Sequence, residues 1–326
     1  MQSSLFEDVD YVHSDPYSDL SLVSECYWHN SFGRLREAHK EFPIHQRRER
    51  YHHISAIPHI HRDFMALYVV RAGRGTRIVN GHAHSMARGD VFLMAPSITH
   101  CFRDSANLTV DALYFQEALW NPREWEILLA MPDLAAYLSP GAQAFGARGH
   151  TDHFGHLSPE PHARVEATLA EMRRELKSGG LPQHLAARAR LFTLLVQLAQ
   201  WREDKTFCMR PARGAGIAEV LAFCEGNFHR ALYNEQLAEL MHFSEAHFRE
   251  VFAKEVGMSP GAYLRHLRLQ HAQKLLHDKT LPIADIARLS GFGDSSQLGH
   301  AFKKAFGVSP LEFRKKPTST SRTTSS

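Results

Sequence analysis

A pattern repeated in the last third of the chain constrains the fold more than any other feature of the sequence. Residues 283–314, IADIARLSGFGDSSQLGHAFKKAFGVSPLEFR, place apolar side chains at helical spacing on both sides of Gly291. Because glycine readily ends a helix, this predicts a helix, a tight turn and a second helix. The two apolar faces consist of Ile283, Ile286, Ala287 and Leu289 before the turn, and of Leu298, Phe302 and Phe306 after it.

The same pattern occurs once more, about 50 residues earlier, which indicates a repeated supersecondary unit. The recurring residues are Phe252, Lys254, Gly257, Ser259, Pro260 and Tyr263, which correspond to Phe302, Lys304, Gly307, Ser309, Pro310 and Phe313. Residues 237–241 supply the first helix of this earlier unit, and His242-Phe243 the turn. Between the two units, residues 259–277 predict one long helix with Pro260 at its first position.

This arrangement resembles the DNA-binding domain of the AraC/XylS family of transcription regulators over residues 217–316. The residues that carry the resemblance are Gly291-Phe292, Phe302-Lys303-Lys304, Gly307, Ser309-Pro310 and Arg314. The resemblance implies sequence-specific binding to double-stranded promoter or operator DNA. It also implies action together with RNA polymerase, more often as an activator than as a repressor.

Composition limits the remaining possibilities. The 326 residues allow two domains, and the net charge of +3 gives no basic coat over the whole chain. The 4 cysteines, at 26, 101, 208 and 224, form no C-x-x-C pair, which argues against disulfides and a zinc finger. The N-terminus has no signal-peptide pattern, and no apolar run has the roughly 20 residues of a membrane span. We therefore expect a cytoplasmic protein without a membrane segment.

The N-terminal part predicts short strands, at residues 64–71, 76–79, 82–86, 91–94 and 108–115. Asn80-Gly81 between two of them is a strong hairpin signal, because a type I′ turn requires positive φ at both central positions. Gly73-Arg74-Gly75 and Gly89-Asp90 predict two further turns. Many short strands at close spacing favour a small β-barrel or a jelly roll.

Two segments of this region, PHIHRDFMALYVVRAGRG and GDVFLMAPSITH, are similar to the cupin-type ligand-binding domain of sugar-responsive AraC regulators. Among these, the two segments most resemble those of the regulators of L-rhamnose operons. The resemblance implies a small-molecule effector, a sugar, bound inside the barrel.

Residues 117–204 return to helical spacing. Their two apolar faces are Val165, Leu169, Met172 and Leu176, then Leu185, Ala189, Phe192, Leu195, Val196 and Ala199. One helix is expected to pack on the barrel and the other to form a dimer seam; packing of both within the monomer is the alternative. The predicted class is α+β, a cupin-like barrel with a helical segment and an all-α double helix-turn-helix domain. The expected divisions are an N-terminal arm 1–50, the cupin-like domain 51–116, the dimerisation segment 117–204, a linker 205–216, the DNA-binding domain 217–316 and a disordered tail 317–326.

Exposed positions early in each second helix are the candidates for reading base edges. Ser244 is expected to cap the first of these helices, and Arg249 is the strongest candidate because a guanidinium binds guanine O6 and N7 together. Asp294 or Ser295 caps the other helix. The base-contact candidates are Ala246, Arg249, Glu250, Ser295, Ser296, Gln297 and His300. Those for phosphate are Lys254, Lys303, Lys304, Arg314 and Lys315, with a merely solvated side chain as the alternative for each.

Glu250 and His300 depart from the resemblance, since the family often has a basic residue at the first position and commonly arginine at the second. Gly299, beside His300, offers no side chain. Direct readout by the second unit is therefore expected to be thin.

Histidines in the barrel raise the question of a metal. His59-x-His61 with His100 has the ligand types and spacing of cupin enzymes, but the expected glutamate falls at Met65 or Ala66. Three histidines can still hold zinc. We expect no metal and no cofactor, and instead an effector pocket for a small polar molecule, since such pockets need a few placed polar groups on an apolar wall. Its expected lining is His59, His61, Tyr68 and His100; surface or core histidines are the alternative.

The sequence thus predicts a homodimeric, effector-controlled DNA-binding regulator that is not an enzyme. Two alternatives stay open: a metal-dependent cupin enzyme with a DNA-binding passenger domain, and a regulator that needs no effector. No Ser-His-Asp order, phosphate-binding loop or dinucleotide motif appears.

Overall fold

The computed structural model describes residues 11–13, 24–32, 42–51, 58–138, 155–204, 206–208 and 215–315. The chain divides into two compact units, residues 1–222 with 251–257 and residues 223–250 with 258–326. Most of the expected arm and linker, and all of the expected tail, lie outside the described residues.

The first unit is built on a sheet that contains ten strands among the described residues. They are β1 (Tyr11–His13), β2 (Ser24–Cys26), β3 (Ile44–Tyr51), β4 (His59–His61), β5 (Met65–Val79), β6 (His82–Ala87), β7 (Asp90–Met94), β8 (Thr99–Phe115), β9 (Gly155–Leu157) and β10 (Phe207–Cys208). The order is β1-β3-β8-β5-β7-β9-β10, with β6 on β5, and with β4 on β8 and β2. The β1–β3 and β2–β4 pairs are parallel, and the other pairs are antiparallel.

The strand β5 is buried on both faces. Leu67 and Val69 belong to a cluster shared with helices, whereas Tyr68 and Val70 belong to a second cluster in the interior of the sheet. Successive side chains of a strand point to opposite faces. This explains why the run MALYVV is apolar throughout instead of alternating.

The sequence prediction of a turn at Gly73-Arg74-Gly75 is wrong, because β5 runs through these residues. Its register against β8 shifts between Val70 and Thr76, which marks bulges. Gly73 has φ +77, and a Cβ at this position would lie 2.2 Å from the backbone oxygen of Asn107. Glycine is therefore required here by a bulge and a close backbone approach.

Two other turn predictions are confirmed. Asn80 and Gly81 have φ 47 and 84, as a type I′ hairpin between β5 and β6 requires, and Gly89 has φ 97 just before β7. The predicted arm contains more regular structure than expected, since all of β3 pairs antiparallel with residues 108–115 of β8.

Helices cover one face of this sheet. They are a 3₁₀ turn (Glu117–Leu119), α2 (Pro122–Leu129), α3 (Pro132–Leu138), α4 (Pro159–Ser178) and α5 (Leu181–Glu203). Two other helices do not belong to this layer: α1 (Trp28–Phe32) packs Trp28 against the interior cluster, and α6 (Ala215–Asn227) spans the division of the chain into its two compact units. Leu169 of α4 and Leu195 of α5 share a core with Leu67 of β5. Both predicted helices thus pack within the monomer. Leu185, on the predicted apolar face of α5, is exposed.

The remaining helices form two helix-turn-helix units, as predicted. They are α7 (Asn234–Glu239), α8 (Glu245–Val256), α9 (Pro260–Leu275), α10 (Ile283–Leu289), α11 (Ser295–Phe306) and α12 (Pro310–Lys315). The repeat has a local cause, because Gly257 and Gly307 end α8 and α11 at φ 77 and 74. The hydroxyls of Ser259 and Ser309 then accept hydrogen bonds from backbone N–H groups of the next helices, at 3.3 and 3.2 Å.

The second helix-turn-helix unit buries a core between α9, α10 and α11. Ile286 and Phe302 are fully buried there, together with Ala272 of α9. Leu289 and Phe306 do not complete this core, since they are 40% and 37% exposed, so the predicted faces are wider than the observed ones. No described helix has the length and apolarity that crossing a membrane requires.

Replacing Gly291 by alanine should lower the free energy of unfolding of the second compact unit, which contains both helix-turn-helix turns, by about 1–3 kcal/mol. Gly291 has φ +79, and a Cβ would lie 2.7 Å from the backbone oxygen of Phe228. Urea unfolding followed by circular dichroism measures the loss. The control is Gly226→Ala in α6, where an added Cβ meets nothing within 4 Å and stability should hold or rise. Equal effects of the two substitutions would contradict this account of the turn.

Candidate functional site

The structure brings together all four residues predicted to line a pocket. Pairing of β4 with β8 places His59 opposite His100, with ring centres 4.2 Å apart. The ring centres of His61 and His100 lie 4.7 Å apart, and the Tyr68 hydroxyl lies 3.4 Å from His100 Nε2. We call these four residues the histidine cluster. Their role in binding an effector stays a prediction.

Burial sets the charge state of this cluster. His61 and His100 are buried, and burial lowers the pKa of both well below the usual value; the neighbouring His59 and Arg77 add repulsion. Both imidazoles are therefore neutral at pH 7. His100 Nδ1 donates to the backbone oxygen of Ile98 at 3.1 Å, which leaves its Nε2 as an acceptor toward Tyr68.

The three histidines could also hold a metal ion. Their candidate ligand nitrogens all lie within 4.8 Å of one another, and no carboxylate joins the group among the described residues. Met65 lies on the helix-covered face of β5, and Ala66 offers no ligand atom on the interior face. The set fits zinc with water as a fourth ligand, but it lacks the glutamate of the resemblance.

Sequence reasoning missed a buried carboxylate near the histidine cluster. Glu49 of β3 is buried, accepts a hydrogen bond from the Tyr114 hydroxyl at 2.7 Å, and also accepts from Tyr51. It forms an ion pair with Arg47. The signal that could have found Glu49 was the alternation of β3, which lay in a segment assigned to the arm.

Arg77 of β5 was also missed. It has 0% exposure, and its guanidinium carbon lies 4.2, 4.6 and 5.2 Å from the ring centres of Tyr68, Phe102 and Phe92. Alternation counted from Tyr68 would place Arg77 on the opposite face. The register shifts reverse the parity of β5 and turn Arg77 inward.

The first predicted DNA-reading helix, α8, begins as expected. Ser244 caps it by accepting from the His247 backbone N–H at 3.3 Å. Phe248 and Phe252 are buried, and the four candidates of this helix, Ala246, Arg249, Glu250 and Lys254, are exposed. The exposed Arg249 forms a long ion pair with Glu245, also exposed, at 3.8 Å.

In α11 the structure resolves the choice of cap. Asp294 accepts from the Gln297 backbone N–H at 2.8 Å, so Ser295 is the first helical residue. The Gln297 side chain turns back to accept from the Gly293 N–H at 3.2 Å, which makes it a weaker base-contact candidate than expected. The other candidates Ser295, Ser296, His300, Lys303 and Lys304 are exposed, whereas Arg314 is half-buried.

A cavity of about 470 Å³ lies beside α11. Its lining consists of Gly261, Arg265, Arg268, Phe292, Asp294, Ser296, Gln297, His300 and Ala301. Arg268 is structural, because it donates to the backbone oxygens of Phe228 and Arg230, both at 2.8 Å. Arg265 is exposed next to predicted base-contact residues. Its position on the polar face of α9 was the signal that sequence reasoning did not use.

Two protein-family models match the chain. The model of the AraC-like ligand-binding domain covers residues 40–195, and that of a helix-turn-helix domain covers residues 237–316. Together they give an AraC-like ligand-binding domain followed by a helix-turn-helix domain, which is consistent with the predicted resemblance to the AraC/XylS family. These matches agree with the observed β-rich first unit and helical second unit, so the predicted α+β class is confirmed.

Two transcriptional activators are similar to this chain over most of its length. The HTH-type transcriptional activator RhaR of Pectobacterium carotovorum subsp. carotovorum is 29% identical over 268 residues, 78% of this chain and 85% of RhaR. The activator RhaS of the same organism is 25% identical over 263 residues, 80% of this chain and 88% of RhaS. The crystal structure of the DNA-binding domain of AdpA in complex with a target DNA is 28% identical, covers 30% of this chain and 89% of that chain, and has a TM-score of 0.30.

These findings confirm the central prediction. The chain is a DNA-binding transcription regulator with an AraC-like ligand-binding domain. Because its relatives are transcriptional activators, the choice of a regulator over an enzyme is also confirmed.

Acid should destabilise the first unit before the second. The folded-state pKa values of His61 and His100 lie below the unfolded value of about 6.5. Below that pH the unfolded chain therefore binds protons that the native cluster excludes, and stability falls as pH drops. Each unit of pKa difference corresponds to about 1.4 kcal/mol.

All 4 tryptophans lie in the first unit, so urea unfolding followed by tryptophan fluorescence at pH 7 and pH 5 isolates this loss. A variant with both His61→Gln and His100→Gln should lose less stability between the two pH values than the wild type. An unchanged difference would show that other groups bind the protons.

Proposed function

We propose that this chain is an AraC/XylS-family regulator that activates transcription when a small effector of the sugar class occupies the interior of its first unit. The observation that carries the proposal is the convergence of His59, His61, Tyr68 and His100 inside the domain that matches an AraC-like ligand-binding domain. The chain's similarity to two transcriptional activators supports activation over repression.

The chemistry of the histidine cluster suits a hydroxylated ligand. A neutral imidazole offers one donor and one acceptor, and the Tyr68 hydroxyl stays protonated because burial raises its pKa to about 12. Phe64 stacks on His61 with ring centres 4.2 Å apart and provides an apolar wall. Few oriented polar groups on apolar walls are what a specific small-molecule site needs.

On DNA, α8 and α11 enter successive major-groove faces. The 16 residues of α9, between the two helix-turn-helix units, span about 24 Å. Arg249 reads one guanine, and the remaining exposed candidates of both helices contribute weaker base contacts. Lys254, Lys303, Lys304 and Arg314 hold phosphate oxygens and set the position of the protein on the duplex.

The regulator acts in the cytoplasm as a homodimer that contacts RNA polymerase. The exposed Leu181 and Leu185 near the start of α5 support a dimer contact at that end of the helix. In the expected division of the chain, residues 51–116 bind the effector, residues 117–204 form the dimer, and residues 217–316 bind DNA after the linker 205–216. We expect the dimer to hold its two DNA-binding domains in two alternative arrangements. The effector controls DNA binding only if it binds these arrangements with different affinity.

Substitutions on the DNA-reading face should separate specificity from affinity. Arg249→Ala should cost about 1–3 kcal/mol at one base position and relax the preference there. Lys304→Ala should weaken binding to all sequences and reduce the dependence of the binding constant on salt. Selection of binding sites from random DNA, followed by titrations at several salt concentrations, measures both. Equal losses on every sequence for both variants would contradict the assigned roles.

An effector should stabilise the first unit measurably. A ligand at a hundred times its dissociation constant adds about 2.7 kcal/mol to the unit that binds it. Thermal unfolding against pentoses, hexoses, deoxy sugars and sugar acids, with tryptophan fluorescence as the readout, should therefore show a shift with one class. The same ligand should change binding to the selected DNA. DNA binding that no ligand alters would favour the effector-independent regulator.

A further inference from the structure

Arg77 is a buried cation that no carboxylate neutralises among the described residues. Within that part of the chain, its Nε and both Nη atoms are buried and have no hydrogen-bond partner. A guanidinium carries five N–H donors, and leaving such donors unpaired away from water costs free energy. Burial lowers the pKa of Arg77, but an arginine stays protonated in proteins.

The groups around Arg77 do not neutralise it. The side chains that favour its charged form are Tyr68, Tyr51 and Tyr114, and each has a raised pKa and so carries no charge at neutral pH. The interior carboxylate, Glu49, already pairs with Arg47 and accepts from two tyrosine hydroxyls. His61 and His100 are neutral. The interior therefore holds one positive charge that no described side chain matches.

Aromatic rings stabilise the faces of this guanidinium but not its edge. Three rings lie within 5.2 Å of its central carbon, as cation–π contacts require. Such contacts leave the in-plane N–H groups unbonded. The edge of a guanidinium matches the two oxygens of a carboxylate, which accept two parallel hydrogen bonds.

A row of polar groups leads from Arg77 to the half-buried His59. His59 is half-buried, its ring centre lies 4.2 Å from that of His100, and His100 Nε2 lies 3.4 Å from the Tyr68 hydroxyl. The Tyr68 ring in turn lies 4.2 Å from the guanidinium carbon of Arg77. A ligand in this row would meet hydrogen-bonding groups along its length and the cation at its inner end.

We infer that the effector is a sugar acid, a uronic or aldonic acid, whose carboxylate binds the Arg77 guanidinium while its hydroxyls bind the histidine cluster. This inference rests on the proposed function, because it names the ligand class of the same site. It distinguishes acidic ligands from neutral sugars, which would leave the N–H groups of Arg77 partly unpaired.

The test compares matched pairs of ligands on the full chain: galacturonate with galactose, glucuronate with glucose, and gluconate with sorbitol. Thermal unfolding is followed by tryptophan fluorescence at pH 7 and constant ionic strength, with and without EDTA. One acid should raise the unfolding temperature, whereas its neutral partner should bind at least about tenfold more weakly, since it lacks the charged hydrogen bonds. EDTA should change neither result.

Arg77→Met should keep the fold, because replacing a buried charge by an apolar side chain of similar length is often neutral or stabilising. It should lose at least about tenfold in affinity for the acid and abolish the preference over the neutral partner. The matched control is Arg74→Met, an exposed position on the same strand, which should keep both. Arg77→Lys should retain part of the affinity, because lysine keeps the charge but not the planar pair of donors.

The outcomes separate this inference from the proposed function. A neutral sugar that stabilises the protein and changes its DNA binding as strongly as the acid would overturn the inference and leave the proposed function standing. An acid response that EDTA abolishes, and that Arg77→Met leaves intact, would place the carboxylate on a metal at the histidines and also overturn it. No response to any member of the panel would count against both. If Arg77→Met fails to fold, the preference of the wild type between matched ligands still decides.

Discussion

The antiparallel pairing of β5 with β8 is the interaction on which the first unit depends. Residues 65–70 of β5 and 108–115 of β8 are buried on both faces, so their apolar side chains belong alternately to one of two cores. Leu67 and Leu113 serve the core beneath α4 and α5, and Tyr68 and Tyr114 serve the interior. A one-residue slip of either strand would exchange these sets, and the packing of the helices therefore also fixes which side chains face the candidate site.

The bulges in β5 reverse this alternation part-way along the strand, so that even-numbered residues face the interior before them and odd-numbered residues after them. Before them the interior residues of β5 are Ala66, Tyr68 and Val70, and after them they are Arg77 and Val79. Gly73 permits the change, because its positive φ and its approach to the backbone of Asn107 exclude any Cβ. A residue without a side chain thus determines that a guanidinium, and not Ile78, enters the interior. Bulges in sheets often re-aim side chains at functional sites in this way.

The features that the sequence predicted well are those with a local physical cause. Ser244 and Asp294 cap helices, and Asn80-Gly81 closes a hairpin, through backbone preferences within a few residues. The meeting of His59 with His100 could be expected only through the family resemblance, since strand pairing brings them together across the sheet. Arg77 could not be predicted, because its direction depends on the parity of the bulges in β5. Glu49 could have been predicted only if its segment had been recognised as a strand, and the partner of that strand is distant in sequence.

The two units use charge differently, and this bears on how a signal could pass through the chain. Exposed cations of the second unit are hydrated and gain from polyanionic DNA mainly by releasing counterions. The buried Arg77 of the first unit has already lost its hydration, so a matching anion restores stabilisation that folding removed. A ligand that supplies this missing charge favours whichever arrangement lets the carboxylate reach the guanidinium. The difference in affinity between the two arrangements, not the strength of binding itself, is then what regulates DNA binding.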